Sequence, residues 1–577
     1  VSNTLARRRL LVLGGFLALS VVALAARVVY LDTVDRPWLL AQARLREVRD
    51  LTLPAHRGMI VDRFGVPLAV STLVEDLCAD PRVLIHRPGE WPELARLAGW
   101  TLPALARAIR AQRAYAFMYL RRGMDPFRAR EILAQNLPGV FLVPQFRRYY
   151  PEGAAAAQVV GYTTVGDRGE GGLELAYNRL LAGRPGRLEV VVNGLGQSVS
   201  AIRLLRRPRP GHTLVSSLDT RLQYVAYAAL KQEVRRQHAS AGSVVVVDPH
   251  TGEVLAMATV PSFNPNTRAD YVLSHMRARA ATDMFEPGSV FKPFTIAAAL
   301  ASGRYTPQSI VNTGQGLLSV GGFIIRDDAA WGRIDLTTLL EKSSNVGASL
   351  VALSLPRRYL WRAYNAFGFG RPTGSDFPGE SPGLLHVWTH WSISMHASIG
   401  YGYGVAVTLL QLARGYSALA NHGVLLPLTF VRRTRITHGR AIVPPRVAHE
   451  LCRMLTTVVS PEGTGFLAQI PGYRVAGKTG TSYIVRNGRY DRHDYSSVFV
   501  GMAPVPHPRL VVAVVVDGTG RRQYFGGLVA APIFKRVMEA ALRILGVPPD
   551  RAPQDRLATV VWRQGLVTWR PGEGTTA

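Results

Sequence analysis

The spacing that first admits chemistry is a serine followed three residues later by a lysine, Ser289 and Lys292, within Glu286-Pro287-Gly288-Ser289-Val290-Phe291-Lys292-Pro293. Gly and Pro stand ahead of the pair and an alanine-rich run, Thr295 to Leu300, stands behind it, so both side chains share one face of a first helical turn. A lysine amine placed there can hydrogen-bond the serine hydroxyl and take its proton, provided burial or a nearby cation keeps the amine neutral. Alone the spacing is common, and it equally describes a capping serine followed by a solvated lysine. A second polar patch, Lys342-Ser343-Ser344-Asn345, is a Ser-x-Asn ahead of Val346-Gly347, and alone it says less still. The third stretch is Ala476-Gly477-Lys478-Thr479-Gly480-Thr481.

Two other patterns compete. Gly472, four residues, then Gly477-Lys478-Thr479 fits the phosphate-loop pattern letter for letter. That loop must open a helix, whereas Thr481-Ser482-Tyr483-Ile484-Val485 is β-branched and aromatic and runs to a turn at Asn487-Gly488, which predicts a strand. His386 and His390 have the H-x-x-x-H spacing of a zinc helix, but Val387 stands where a catalytic Glu would be, so a tryptophan-rich packing segment is the preferred reading. No metal or other cofactor is expected. Cys78 and Cys452 lie 374 positions apart, outside any metal spacing, and read as small buried apolar groups.

The elements that must position these residues follow from the rest of the chain. Its 577 residues exceed one ordinary domain, and 47% apolar against 19% charged leaves ample material for packed cores. Arg7, Arg8 and Arg9 precede seventeen uncharged residues, Leu10 to Ala26, then Arg27 and Val28-Val29-Tyr30-Leu31. The span is at the short end of the roughly 20 residues a membrane helix needs, but Arg27 can snorkel. This predicts a cytoplasmic tail over 1–9, a transmembrane anchor over 10–31, and everything later outside the cytoplasm. The competing reading is a cleaved signal peptide ending at Ala23-Leu24-Ala25.

From Val48 to about Arg209 the pattern is mixed. Strands and turns are expected over Arg57 to Ala69, helices over Leu102 to Ala111 and after Asp125-Pro126, and loop or docking structure over Arg147 to Pro151 and Gly169 to Gly186. Arg206-Arg207-Pro208-Arg209-Pro210 reads as a linker, closing a pedestal domain over 32–210. Beyond it Asp219 should cap a helix, and Ser243 to Asp248 and Glu253 to Ala258 should form a hairpin. Three more strands are predicted at Tyr473 to Val485, Ser496 to Met502 and Arg509 to Asp517, then a helix over Pro532 to Leu545. The expected fold is α+β, a mostly antiparallel five-stranded sheet flanked by helices over 211–550, with a tail over 551–577.

The charge of +29, from 68 Lys+Arg against 39 Asp+Glu, raises nucleic acid as a partner. No block of five like charges concentrates it, and an arginine-heavy solvated surface is preferred, with no nucleic-acid partner expected. Only five of the 68 cations are lysines: Lys231, Lys292, Lys342, Lys478 and Lys535. Where lysine persists in so arginine-rich a chain, arginine is expected not to serve.

In chain order, Ser-x-x-Lys at 289, Ser-x-Asn at 343 and Lys-Thr-Gly-Thr at 478 resemble the triple set of penicillin-binding proteins and serine β-lactamases. Phe285-Glu286-Pro287-Gly288-Ser289, Lys342 to Gly347, Gly402-Tyr403-Gly404, Arg57 to Arg63 and Arg148-Tyr149-Tyr150-Pro151 extend the likeness to the cell-division (septal, FtsI-type) class B penicillin-binding proteins. Leu409, where that family usually has Pro, and Ala278, where it usually has Asn, depart from it.

The resemblance implies peptidoglycan D,D-transpeptidation on stem peptides, acylation by β-lactams, and a pedestal that docks a SEDS-family glycosyltransferase and other divisome proteins. It implies Ser289 as nucleophile, Lys292 as base, Ser343 as proton relay and Asn345 as holder of the substrate amide. Lys478, with Thr479, Gly480 and Thr481, would receive the terminal carboxylate, and the backbone N–H groups of Ser289 and Thr481 would form an oxyanion hole. An elongation-type relative is the nearest rival. A β-lactamase, for which the long amino-terminal part is unsuited, and an inactive membrane scaffold also remain. A bifunctional class A enzyme would need a Glu-Asp-x-x-Phe motif, and Glu75-Asp76 is followed by Leu77-Cys78-Ala79.

Overall fold

The computed structural model describes residues 2–38, 48–192, 198–435, 437–486, 489–520, 523–551, 561–563 and 566–568. By internal contact the chain forms two units, one of Val1–Arg57, Thr72–Arg147 and Gly183–Gly211, the other of Gly58–Ser71, Arg148–Ala182 and His212–Ala577.

The first unit begins with a helix, Ser2–Thr33, whose stretch Arg8–Thr33 is long and apolar enough to cross a membrane. A three-stranded antiparallel sheet pairs Val48–Leu53 with Gly186–Val192 and the latter with Ser198–Arg206. A separate core gathers Leu77, Leu94, Leu105, Ile109, Met118 and Ile132. The helix Leu102–Ala111 forms as predicted, and Asp125 caps Pro126–Leu133 by accepting from the backbone N–H of Phe127 and Arg128. The stretch 206–210 is not free chain. Arg206 ends a strand, and Arg209 exchanges two backbone hydrogen bonds with Arg184, at 2.9 and 2.8 Å.

The second unit is built on an antiparallel sheet. Helix α1 (Thr220–Arg236) starts at Asp219, whose carboxylate accepts from the N–H of Arg221. Strands β1 (Ala241–Val247) and β2 (Val254–Val260) form the predicted hairpin, and every residue of both is buried. Helices α2 (Lys292–Ala301), α3 (Asn345–Ser354), α4 (Leu409–Ala420) and α5 (Pro445–Thr457) follow. Strands β3 (Ala476–Arg486), β4 (Arg489–Ala503) and β5 (Leu510–Asp517) then complete a sheet ordered β2-β1-β5-β4-β3. Helix α6 (Gly526–Ile544) closes the unit.

The valine runs of β1 and β5 are apolar because both faces are covered. Val244, Val246, Val512 and Val514 pack with Leu230, Val529 and Phe534 from α1 and α6. Val245, Val247, Val511 and Ala513 face the opposite core with Phe294, Leu410 and Leu455 from α2, α4 and α5. The period of two sends alternate residues to opposite faces, and each fully buried valine contributes about 1.5 kcal/mol or more.

Helix α6 starts six residues before the expected Pro532, which lies inside it. A proline costs a helix one N–H bond, but the fully buried Val529, Ala530, Ile533 and Phe534 on either side hold the turn by packing. Leu409, the departure noted above, is the first residue of α4. There proline's advantage is only a missing amide that needs no partner, and a reciprocal cap between Thr408 and Gln411 makes the start without it.

The segment Arg147 to Pro151, expected as loop, is largely strand, since Val140–Tyr149 is extended. Arg148 is buried and donates to the buried Glu174 carboxylate at 2.6 Å, within the second unit. Also in that unit, the backbone N–H of Tyr150 donates to Asn266 and the Gln223 amide donates to the Ala155 carbonyl. Most of the tail over 551–577 and the turn Asn487-Gly488 lie outside the described residues.

Candidate active site

Ser289 sits in a single 3-10 turn, Gly288–Phe291, that runs directly into α2. Lys292 opens that helix, with Pro293 beside it in the first turn, where a missing N–H costs nothing. The surrounding helix is alanine-rich and buried from Lys292 to Leu300, so the lysine side chain is sealed, at 0% exposure. Its Nζ donates to Ser289 Oγ at 2.9 Å, Asn345 Oδ1 at 2.8 Å and Ser343 Oγ at 3.1 Å, and also to the Ser343 carbonyl. The first two motifs therefore meet at one amine.

Ser343 lies in the turn between Leu336–Glu341 and α3, with φ of +61°. A serine costs about 1 kcal/mol or more in that left-handed region, so the surroundings must hold it there. Ser344 caps α3 by accepting from the Gly347 N–H at 2.8 Å.

Lys478 reaches the same hydroxyl from β3, the sheet's edge strand, and is also 0% exposed. Its Nζ donates to Ser343 Oγ at 2.9 Å and stands 3.3 Å from Thr479 Oγ1. Thr479 pairs with Thr464 at 2.8 Å, and Thr481 Oγ1 accepts from the Gly526 N–H at 3.2 Å. A Cβ on Gly480 would stand 2.8 Å from the Pro287 carbonyl oxygen, so only glycine lets β3 approach the serine turn this closely. On the other side, a Cβ on Gly402 would lie 2.1 Å from the Gly288 carbonyl oxygen. The predicted strand after Thr481 is observed, so Gly477-Lys478-Thr479 opens no helix and cannot cradle a phosphate.

Electrostatics follow from burial. Desolvation pushes the Lys292 amine down to about 7, against the opposing pull of Asp327 and Asp328. Burial also drives Lys478 well down, helped by repulsion from Lys292, with Asp328 pulling the other way. Of the two influences expected to keep the Lys292 amine neutral, burial or a nearby cation, burial is the one that acts. A serine hydroxyl 2.9 Å from an amine that loses its proton near neutrality is a pair able to make and break an acyl ester.

All eight sequence-identified residues, Ser289, Lys292, Ser343, Asn345, Lys478, Thr479, Gly480 and Thr481, lie on three elements that converge here. Lys342 does not join them. Its amine turns to the Glu341 carboxylate at 2.9 Å and the Glu462 carbonyl at 3.0 Å. Sequence reasoning missed Asp327, which accepts from the N–H of Asn345 and Val346, and it missed Thr464. No spacing could have found them, since neither shares a periodic element with a motif. Glu286, three positions before Ser289, accepts from the Gly404 N–H at 2.8 Å, and burial pushes its carboxyl up. His386 lies ahead of a single 3-10 turn, Trp388–His390, which His390 ends, so no helix presents the pair, and the buried Trp391 donates from its indole to the His386 carbonyl.

The fold and this three-element site agree with comparison to known proteins. Residues 242–539 match the penicillin binding protein transpeptidase domain, and residues 52–216 the penicillin-binding protein dimerisation domain. A probable peptidoglycan D,D-transpeptidase PbpC of Pseudomonas aeruginosa is 41% identical over 532 residues, covering 92% of this chain and 94% of that one. Peptidoglycan D,D-transpeptidase FtsI of Escherichia coli is 36% identical over 549 residues, covering 94% and 92%. The transpeptidase domain of Burkholderia pseudomallei penicillin-binding protein 3 superposes with a TM-score of 0.54 at 40% identity, covering 58% of this chain and 98% of that one. The chain belongs to the class B penicillin-binding proteins, with a dimerisation domain ahead of a transpeptidase domain. It is a peptidoglycan D,D-transpeptidase.

Proposed function

We propose that this enzyme cross-links stem peptides through an ester on Ser289, and that β-lactams trap the same serine. The observation that carries this is the 2.9 Å contact between Ser289 Oγ and the fully buried Lys292 amine. Lys292 takes the hydroxyl proton as Ser289 Oγ bonds to the carbonyl carbon of the penultimate D-Ala. The C–N bond to the terminal D-Ala then breaks, and its nitrogen receives a proton through Ser343, which both lysines contact. The amine of a neighbouring stem peptide attacks the ester and releases Ser289. In a β-lactam the broken amide is part of a ring, so the leaving nitrogen stays attached and the ester persists.

Asn345 holds the substrate amide, and Lys478 with Thr479 and Thr481 receives the terminal carboxylate. That anion supplies the counter-charge which lets a buried Lys478 hold its proton. The N–H groups of Ser289 and Thr481 face the developing oxyanion. The helix Arg8–Thr33 anchors the chain in the inner membrane as a single span, with the catalytic domain outside the cytoplasm. The 32–210 segment docks a SEDS-family glycosyltransferase and other divisome proteins.

The setting we propose is the division septum, supported by the likeness of the segments around Ser289, Ser343 and Lys478 to the septal class. Mass spectrometry of the penicillin-treated protein tests the chemistry, with the adduct expected on the peptide holding Ser289 and an adduct elsewhere refuting it. A tagged copy concentrated at midcell supports the septal role, and one spread along the sidewall refutes it.

A further inference from the structure

One carboxylate outside the three motifs grips the most constrained segment of the site. Asp327 follows the hairpin of Leu317–Val320 and Phe323–Arg326. Its Oδ1 accepts from the backbone N–H of Asn345 at 2.5 Å and of Val346 at 2.9 Å, and its Oδ2 accepts from the Ser344 hydroxyl at 2.6 Å. Those two amides are the first of α3, unpaired within the helix and at its positive end, so the carboxylate answers both needs. The neighbouring Arg326 carbonyl accepts from Asn345 Nδ2 at 2.9 Å, leaving Oδ1 of that amide turned to Lys292. Immediately upstream is Ser343, held at a positive φ that serine does not prefer.

We infer that Asp327 is a positioning residue for acyl transfer: its carboxylate clamps the start of α3 and so holds Ser343 and Asn345 against Lys292. Without the clamp, Ser343 can relax to an ordinary backbone conformation, and its hydroxyl and carbonyl leave the lysine. Asn345 then loses the fixed rotamer that presents Oδ1. The inference rests on the reading of Ser289 and Lys292 as the acylating pair.

Charge and grip can be separated, because a neighbouring carboxylate shares the one and not the other. Asp327 and Asp328 both favour the protonated form of Lys292, opposing its desolvation, and the other ionisable group facing that amine is Lys478. Removing either carboxylate therefore lowers the pH at which Lys292 becomes neutral. Asp328 makes no hydrogen bond to the turn among the described residues, so it carries the charge without the grip.

The test is the second-order acylation rate of the full chain with a fluorescent penicillin, followed from about pH 5 to 9, with thermal melting in parallel. Asp327→Asn keeps the shape and one acceptor oxygen but loses the charge and the acceptor for Ser344. Its plateau rate is expected to fall about tenfold or more, with the acid limb displaced to lower pH. Asp328→Asn should displace the limb in the same direction while its plateau stays within about twofold of wild type.

A helix cap with no positioning role would lower the melting temperature of Asp327→Asn and shift its limb no further than Asp328→Asn while leaving the plateau in place, which overturns the inference. Should Asp327→Asn fail to fold, Ser344→Ala removes one arm of the clamp, and a wild-type plateau there overturns it equally. An unlabelled wild type, or a labelled Ser289→Ala, brings down the acyl-enzyme reading and this inference with it. A labelled wild type with an unaffected Asp327→Asn brings down the inference alone.

Discussion

Ser343 Oγ accepts from Lys478 Nζ at 2.9 Å, and the same oxygen accepts from Lys292 at 3.1 Å. One hydroxyl thus joins a lysine on the edge strand to a lysine on the first turn of the central helix. That bridge is the route along which the proposed relay would carry a proton from Ser289 to the leaving nitrogen.

Replacing Ser289 by alanine removes the only hydroxyl proposed to form the ester while touching no core contact. Labelling by a fluorescent penicillin should vanish, and the melting temperature should stay within about 2 °C of wild type. Retained labelling would place the nucleophile elsewhere.

The acylation rate should follow the neutral fraction of Lys292. Because burial lowers that amine to about 7, the rate is expected to be low in acid and to rise as pH passes through about 7, with a plateau above it. Lys292→Arg should abolish acylation, since guanidinium keeps its proton at any workable pH. Lys478→Arg, whose proposed task is to face a carboxylate, should keep roughly a hundredth to a tenth of the rate, the loss coming from fitting a larger group into a sealed site. Equal losses in the two variants would give Lys478 a part beyond electrostatics.

Gly480→Ala places a methyl group 2.8 Å from the Pro287 carbonyl oxygen, so β3 and the serine turn must separate. Acylation should fall at least about tenfold, the effect of displacing reacting groups by a fraction of an ångström. A variant with the wild-type rate would show that this close approach does not set the geometry.

Calorimetric titration with ATP and magnesium should show no binding tighter than about millimolar, roughly -4 kcal/mol. Thr481 to Val485 is strand, so no helix N-terminus faces a phosphate at Lys478. Measurable micromolar binding would contradict that.

Cys78 and Cys452 are both buried, and burial pushes each thiol up to about 12. The folded protein should resist a thiol-specific reagent at neutral pH and react at both positions only in denaturant. Fast reaction of either thiol in the native state would mean that its core opens.

Much of this was legible in the linear order of residues. Ser289 and Lys292 meet because three positions are one helical turn, and the valine runs at 243–247 and 509–517 declare buried strands by composition alone. Asp219 and Asp125 start their helices because a carboxylate ahead of a periodic apolar run satisfies free amides. These are local effects, decided within a few residues, and a sequence states them directly.

Tertiary structure decided what depends on distant segments meeting. Lys342, Ser343 and Lys478 look alike as motif members, yet only packing turns the Lys342 amine away to Glu341 and Glu462 and brings Lys478 to Ser343. Segment 148–182 precedes the proline-rich stretch, yet it belongs to the catalytic unit because the Arg148 and Glu174 pair is buried there. Asp327 precedes Ser343 by sixteen positions and shares no period with it, so its grip on α3 appears only when the chain folds back. The lowering of the Lys292 amine is a tertiary effect as well, since desolvation is a property of what surrounds an amine and not of its neighbours in sequence.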